Sequence, residues 1–178
     1  TPPVSRRTFL AASGASAVGI AAVSGGMVVG AEGAWAITAT NLKPETMETL
    51  VPMARDVNPH DRLADRFYAA AVAPYDEAAG ADAGLKSLLE DGVAALDDTA
   101  AGRYDRARYV EVNGELDRVA ILRDMQSTPF FQKVRGDLIT GLYNNKELWP
   151  KFGYEGSSAE YGGYIDRGFD DIDWLDQA

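Results

Sequence analysis

Between Pro44 and Tyr143 the apolar residues recur every three or four positions, and this period restricts the fold more than any other feature of the chain. A helix turn of 3.6 residues brings positions i, i+3, i+4 and i+7 to one face. Met47, Leu50, Val51 and Ala54 therefore predict an amphipathic helix over 45–55, which Pro52 is expected to kink or end. A second helix is predicted from 61 or 62 to 72, with Asn58 or Asp61 as its cap, Leu63, Phe67, Tyr68 and Ala71 inward, and a stop near Pro74. Leu85, Leu88, Leu89, Val93 and Leu96 mark a third over 82–97. The signal weakens over 100–114, where Tyr-Val-Glu-Val-Asn alternates as a short strand would but has no partner to pair with, and it is read as a loop or irregular turn. Leu116, Val119, Ala120, Leu122 and Arg123 resume the helical period over 115–125. Thr128 and Pro129 then supply a cap and a first-turn proline for a last helix. Its buried face is expected to be Phe130, Phe131, Val134, Leu138, Leu142 and Tyr143. The fold class is all-α, a small helical domain over 38–143.

The segments on either side of that domain behave differently. From Asn144 the chain shows neither a helical nor a strand period and is rich in glycine, so it reads as an extended tail over 144–178. It carries seven aromatics: Trp149, Phe152, Tyr154, Tyr161, Tyr164, Phe169 and Trp174. Such a tail either wraps its own domain or lies across another protein. Aromatic residues dominate interface energetics, which favours a partner for the set. His60, Phe130 and Phe131 join Trp149, Tyr154, Tyr161, Tyr164, Phe169 and Trp174 as candidates for that interface. Asp166, Asp170, Asp171, Asp173 and Asp176 lack the ordered register of a calcium loop and read as an acidic surface.

At the other end, Arg6 and Arg7 precede 24 residues, 8–31, without a charge. Basic pair, mild apolar stretch and the small-residue site Ala34-Trp35-Ala36 have the order of an export signal. Ser5-Arg6-Arg7-x-Phe9-Leu10 fits the twin-arginine pattern, with Ala11 where lysine is common. Glycines at 14, 19, 25, 26 and 30 each cost a helix interior about 1 kcal/mol, which disfavours an ordinary core helix. The neutral stretch would span about 36 Å as a helix at about 1.5 Å per residue, against a bilayer core of about 30 Å. Residues 1–37 are thus a signal or a retained anchor helix, and both fates, cleavage after Ala36 and retention, stay open.

Composition narrows the chemistry. The chain has no cysteine and one histidine, which removes thiolate metal sites, iron–sulfur clusters, covalent c-type haem and disulfides from its own repertoire. Neither a Gly-x-Gly-x-x-Gly turn after a strand nor a phosphate-binding Gly-x-x-x-x-Gly-Lys motif is present. Of 17 basic and 27 acidic residues only Arg6, Arg7 and Glu32 lie in the leader, so the body is acidic and unsuited to nucleic acid. His60 stands in Asn58-Pro59-His60-Asp61 with no serine, threonine or carboxylate at a recognisable catalytic spacing. No catalytic or metal residue is assigned. A signal of the type used for folded cargo, on a chain with no cofactor motif, places the chemistry on a companion polypeptide.

The chain resembles the gluconate 2-dehydrogenase subunit 3 family, the small subunits of membrane-associated flavoprotein dehydrogenases. The likeness lies in the leader (Arg6, Arg7), Pro59-His60-Asp61, Thr128-Pro129-Phe130-Phe131, Gly141-Leu142-Tyr143, and the segment with Trp149, Gly153, Tyr154 and Gly156. The family's commoner ending has Tyr-Gly-Gly-Asn, where this chain has Tyr161-Gly162-Gly163-Tyr164. The resemblance implies a non-catalytic subunit that aids export, folding and assembly of an FAD-containing large subunit in the periplasm, with electrons passing to a multihaem cytochrome c. FAD and c-type haem are then expected in partner subunits and none on this chain. The rival from the binding class is an anchor or linker subunit of a larger respiratory or photosynthetic membrane complex; the rival from the enzyme class makes His60 and Asp61 a catalytic pair.

Overall fold

The computed structural model describes residues 39–165 and 167–169, together with the backbone of three short strands in the leader. These strands, β1 (Ala21–Val23), β2 (Met27–Val29) and β3 (Trp35–Ile37), form an antiparallel meander in that order. The signal or anchor helix expected over 1–37 falls for the most part outside the described residues. The rest of the leader, including Arg6, Arg7, Phe9 and Leu10, lies outside the described residues, and so does Trp174.

From Ala39 onward every regular element is helical. Helix α1 (Pro44–Val57) opens on a proline whose missing N–H costs nothing in the first turn. Pro52 neither ends nor breaks it: the ring removes one backbone hydrogen bond, but Met47, Leu50, Val51, Met53 and Ala54 are all buried and hold the helix in register. The second helix, α2 (Asp65–Val72), starts later than the sequence suggests. Residues 59–64 form turns instead, Asn58 closes α1 by donating its N–H to the Ala54 carbonyl, and neither Asn58 nor Asp61 caps α2. Pro74 does not merely stop a helix; it starts α3 (Pro74–Ala81), an alanine-rich element without the apolar stripe that would announce it.

Asp82 caps α4 (Ala83–Tyr104) by accepting the N–H groups of Gly84 and Leu85 at 2.8 and 3.1 Å. The helix outruns its predicted end by two turns and closes on Asp105 in the left-handed region, φ 53°. An irregular segment with a 3-10 turn at Tyr109–Glu111 follows, as read from the sequence. In α5 (Glu115–Asp124) the buried residues are Ile121 and Leu122, whereas Leu116, expected inside, is 84% exposed. The last helix, α6 (Pro129–Tyr143), has the Thr128 cap and first-turn proline read from the sequence, with the cap oxygen accepting Phe131 N–H at 3.3 Å. One core joins all six helices, centred on Leu50, Met53, Tyr68, Leu89, Leu96, Ile121 and Leu138.

After α6 the chain is less extended than expected. Leu148 is fully buried and pins two 3-10 turns, Trp149–Phe152 and Ser158–Tyr161, to the end of the body. Left-handed glycines at 153 and 162 close them, a conformation that glycine adopts without strain.

Candidate functional site

The loop between α1 and α2 meets the end of α6 and the first tail turn around His60. Its Nε2 lies 2.8 Å from the Tyr143 hydroxyl, a bond whose donor is set by the imidazole tautomer. The imidazole packs edgewise on Tyr143 and Phe152, with ring centroids 5.7 and 5.1 Å away. Trp149 fixes the other side of Tyr143 by donating Nε1–H to its carbonyl at 2.9 Å. Below the loop the Tyr68 hydroxyl donates to the Asn58 carbonyl at 2.8 Å. Burial pushes the phenol pKa of both tyrosines up, with the Arg55 charge pulling the other way on Tyr68. Both therefore stay neutral donors and acceptors at physiological pH.

Beside this cluster is an open cleft of about 360 Å³ lined by Pro59, His60, Asp61, Arg62, Leu63, Lys151 and Phe152. No hydrogen bond or ion pair joins Asp61 to His60 among the described residues, and the imidazole's bond goes to a tyrosine. In this arrangement His60 fastens the α1–α2 loop to the tail. Among the described residues no three His, Cys, Asp or Glu side chains converge as metal ligands would.

The expected interface residues divide. Phe130 is 3% exposed and is spent in the core, where a Cβ built on Gly92 would fall 2.1 Å from its Cγ. This corrects its assignment to a partner surface: the first-turn position of α6 points the ring at α4, and only a glycine there leaves room. Phe131 is half-buried in a groove between α5 and α6. Trp149 folds back on the chain itself, with Tyr154 edgewise on its indole at 5.2 Å. Tyr161 donates its hydroxyl to the Glu155 carbonyl at 2.8 Å yet keeps 55% of its surface exposed. Tyr164 and Phe169 are 62% and 77% exposed, and Phe152 and Tyr154 are also open to solvent. Arg167 spans this face, its guanidinium 4.7 and 5.7 Å from the ring centroids of Tyr161 and Tyr164.

Two polar anchors are absent from the sequence reading. Asp56, buried at the end of α1, accepts from Arg118 Nε at 2.6 Å, from a second Arg118 nitrogen at 2.9 Å and from the Tyr109 hydroxyl at 2.6 Å. Burial and then the Asp56 charge raise the Tyr109 pKa, while the bond to Asp56 raises that of Arg118. Asp76, in the first turn of α3, collects the N–H groups of Thr40, Asn41 and Leu42 and ties the start of the helical body to α3. A carboxylate within the apolar stripe of α1 is the one sequence signal that points to Asp56; Asp76 has none, because its partners are backbone.

Comparison with family models, with curated proteins and with solved structures finds no match for the chain.

Proposed function

We propose that the protein is a non-catalytic small subunit of an exported, membrane-associated flavoprotein dehydrogenase complex, where it aids export, folding and assembly of the FAD-containing subunit. The observation that carries the reading is the row of open aromatic side chains, Phe152, Tyr154, Tyr161, Tyr164 and Phe169, on the segment after α6. Large rings left in water forfeit about 25 cal/mol for each Å² of apolar surface that a partner would cover. The twin-arginine pattern at Ser5-Arg6-Arg7-x-Phe9-Leu10 gives that partner a reason to be folded and already attached before export.

The test is co-purification of the tagged chain from its own host, followed by absorbance spectroscopy of what comes with it. A flavin-bearing polypeptide supports the reading, with haem absorbance expected if a cytochrome c travels in the complex. Recovery of a membrane complex without flavin would instead support the anchor or linker role. Replacing Arg6 and Arg7 by lysine is the companion experiment: periplasmic flavoprotein at an unchanged level would refute shared export.

A further inference from the structure

Helices α5 and α6 both pack on α1 but scarcely touch each other. The groove left between them holds about 170 Å³, has Asp56 and Val57 at its floor, Val119 and Leu122 on one wall and Phe131 on the other. Arg123 and Arg135 border it, and both are exposed. The floor carboxylate does not serve them, because its oxygens are taken by Arg118 and Tyr109. Six other arginines, at 55, 66, 103, 108, 118 and 167, each hold a carboxylate. Arg123 and Arg135 hold none among the described residues, as is also true of Arg62 and Arg106, but only Arg123 and Arg135 flank this groove, in a chain where acidic residues outnumber basic ones 27 to 17.

Apolar walls between two unengaged guanidinium groups are complementary to one kind of ligand, an apolar side chain flanked by carboxylates. The volume is below the roughly 300–1,000 Å³ of small-molecule and cofactor sites and suits a single large side chain. We propose that this groove docks an acidic peptide segment of a partner protein, which inserts one aromatic or branched aliphatic side chain against Val119 and Phe131 and pairs its carboxylates with Arg123 and Arg135. The groove shares no lining residue with the aromatic segment after α6, and the inference does not depend on the flavoprotein reading.

Fluorescence anisotropy with a labelled peptide Asp-Glu-Trp-Leu-Glu-Asp and the full chain tests it. Saturable binding is expected, weakened at least tenfold by Arg123→Glu with Arg135→Glu, and equally by replacing the peptide's acids with their amides. Both arginines are solvent-facing, so the double variant is expected to keep its helical circular dichroism, and the milder Arg123→Ala with Arg135→Ala serves if it does not. Absence of saturable binding, or an affinity indifferent to charge reversal, would overturn the proposal. The segment 170–178, Asp-Asp-Ile-Asp-Trp-Leu-Asp-Gln-Ala, has the same acidic and apolar composition. A tenfold rise in affinity on Trp174→Ala would make the chain's own end the occupant and overturn the assignment to a partner.

Discussion

Asp76 accepts the backbone N–H of Leu42 at 2.9 Å, and the same carboxylate takes Asn41 and Thr40 at 2.9 and 3.0 Å. Three consecutive amides thus converge on one side chain at the point where the chain enters the helical body. Burial alone would push the pKa of Asp76 up; the amides of Leu42, Asn41 and Thr40 outweigh it and hold the carboxyl below the usual aspartate range. Its position in the first turn of α3 adds the favourable end of the helix dipole.

Asp76→Ala is expected to cost about 2–3 kcal/mol at neutral pH, the scale of hydrogen bonds to a charged group. The folded-state pKa is depressed, so the contribution is complete above the ordinary aspartate value of about 3.9 and is lost as pH falls through the lower folded value. Urea unfolding of both proteins at pH 7 and pH 3 checks the sign: the gap between them narrows in acid. A gap that widens in acid would contradict the role given to the amides.

Arg118 and Asp56 make the most deeply buried ion pair among the described residues, with the carboxylate side chain only 1% exposed. Removing the guanidinium leaves that charge in the core with one phenol for company. Arg118→Ala should therefore destabilise the fold by about 3–5 kcal/mol, whereas Tyr109→Phe, which removes one bond and keeps the pair, should cost about 1.5–3 kcal/mol. The ordering of the two denaturant midpoints is the measurement.

Much of the helical body is legible in the sequence, and the failures have local causes. Thr128 and Pro129 fix the start of α6 because capping and first-turn chemistry depend on neighbours alone. The start of α2 is missed because Asn58 and Asp61 look like caps while the chain at 59–64 is held in turns by long-range bonds, His60 to Tyr143 and Tyr68 to the Asn58 carbonyl. Helix α3 is hidden by its alanines, and the inward set of α5 is misassigned because Leu116 and Ile121 fit the period equally well; tertiary packing selects Ile121. Of the candidate site, the open aromatics were readable as composition. The fastening of His60 and Trp149 to Tyr143 was not, since each bond joins residues whose spacing carries no motif.

Glycines in helices offer a test of packing with opposite signs. Alanine normally gains up to about 1 kcal/mol over glycine in a helix interior. Gly102 in α4 and Gly136 in α6 have open space where a Cβ would go, so each alanine variant should be stabilised by that order. Gly92→Ala should lose about 1–3 kcal/mol, because its methyl would enter the Phe130 ring and force the core apart. Thermal melts of the three variants decide it, and a stabilised Gly92→Ala would mean that Phe130 is not seated as described.

The aromatic residues near the end can be sorted into core and contact surface by separating stability from association. Phe130→Ala removes a ring that is 3% exposed and should cost about 3–5 kcal/mol, with any loss of a partner following from unfolding. Tyr164→Ser with Phe169→Ser removes two rings that contribute little to the core, so the denaturant midpoint should move by no more than about 0.5 kcal/mol per site. If these rings meet a partner, the same double variant should lose it, since truncating an aromatic anchor at an interface commonly costs 2 kcal/mol or more, roughly a thirtyfold loss of affinity each. The two readouts therefore run in opposite directions for the two sets of residues. A double variant that keeps both its stability and its full co-purification yield would show that these rings are ordinary surface, and would remove the observation on which the proposed function rests.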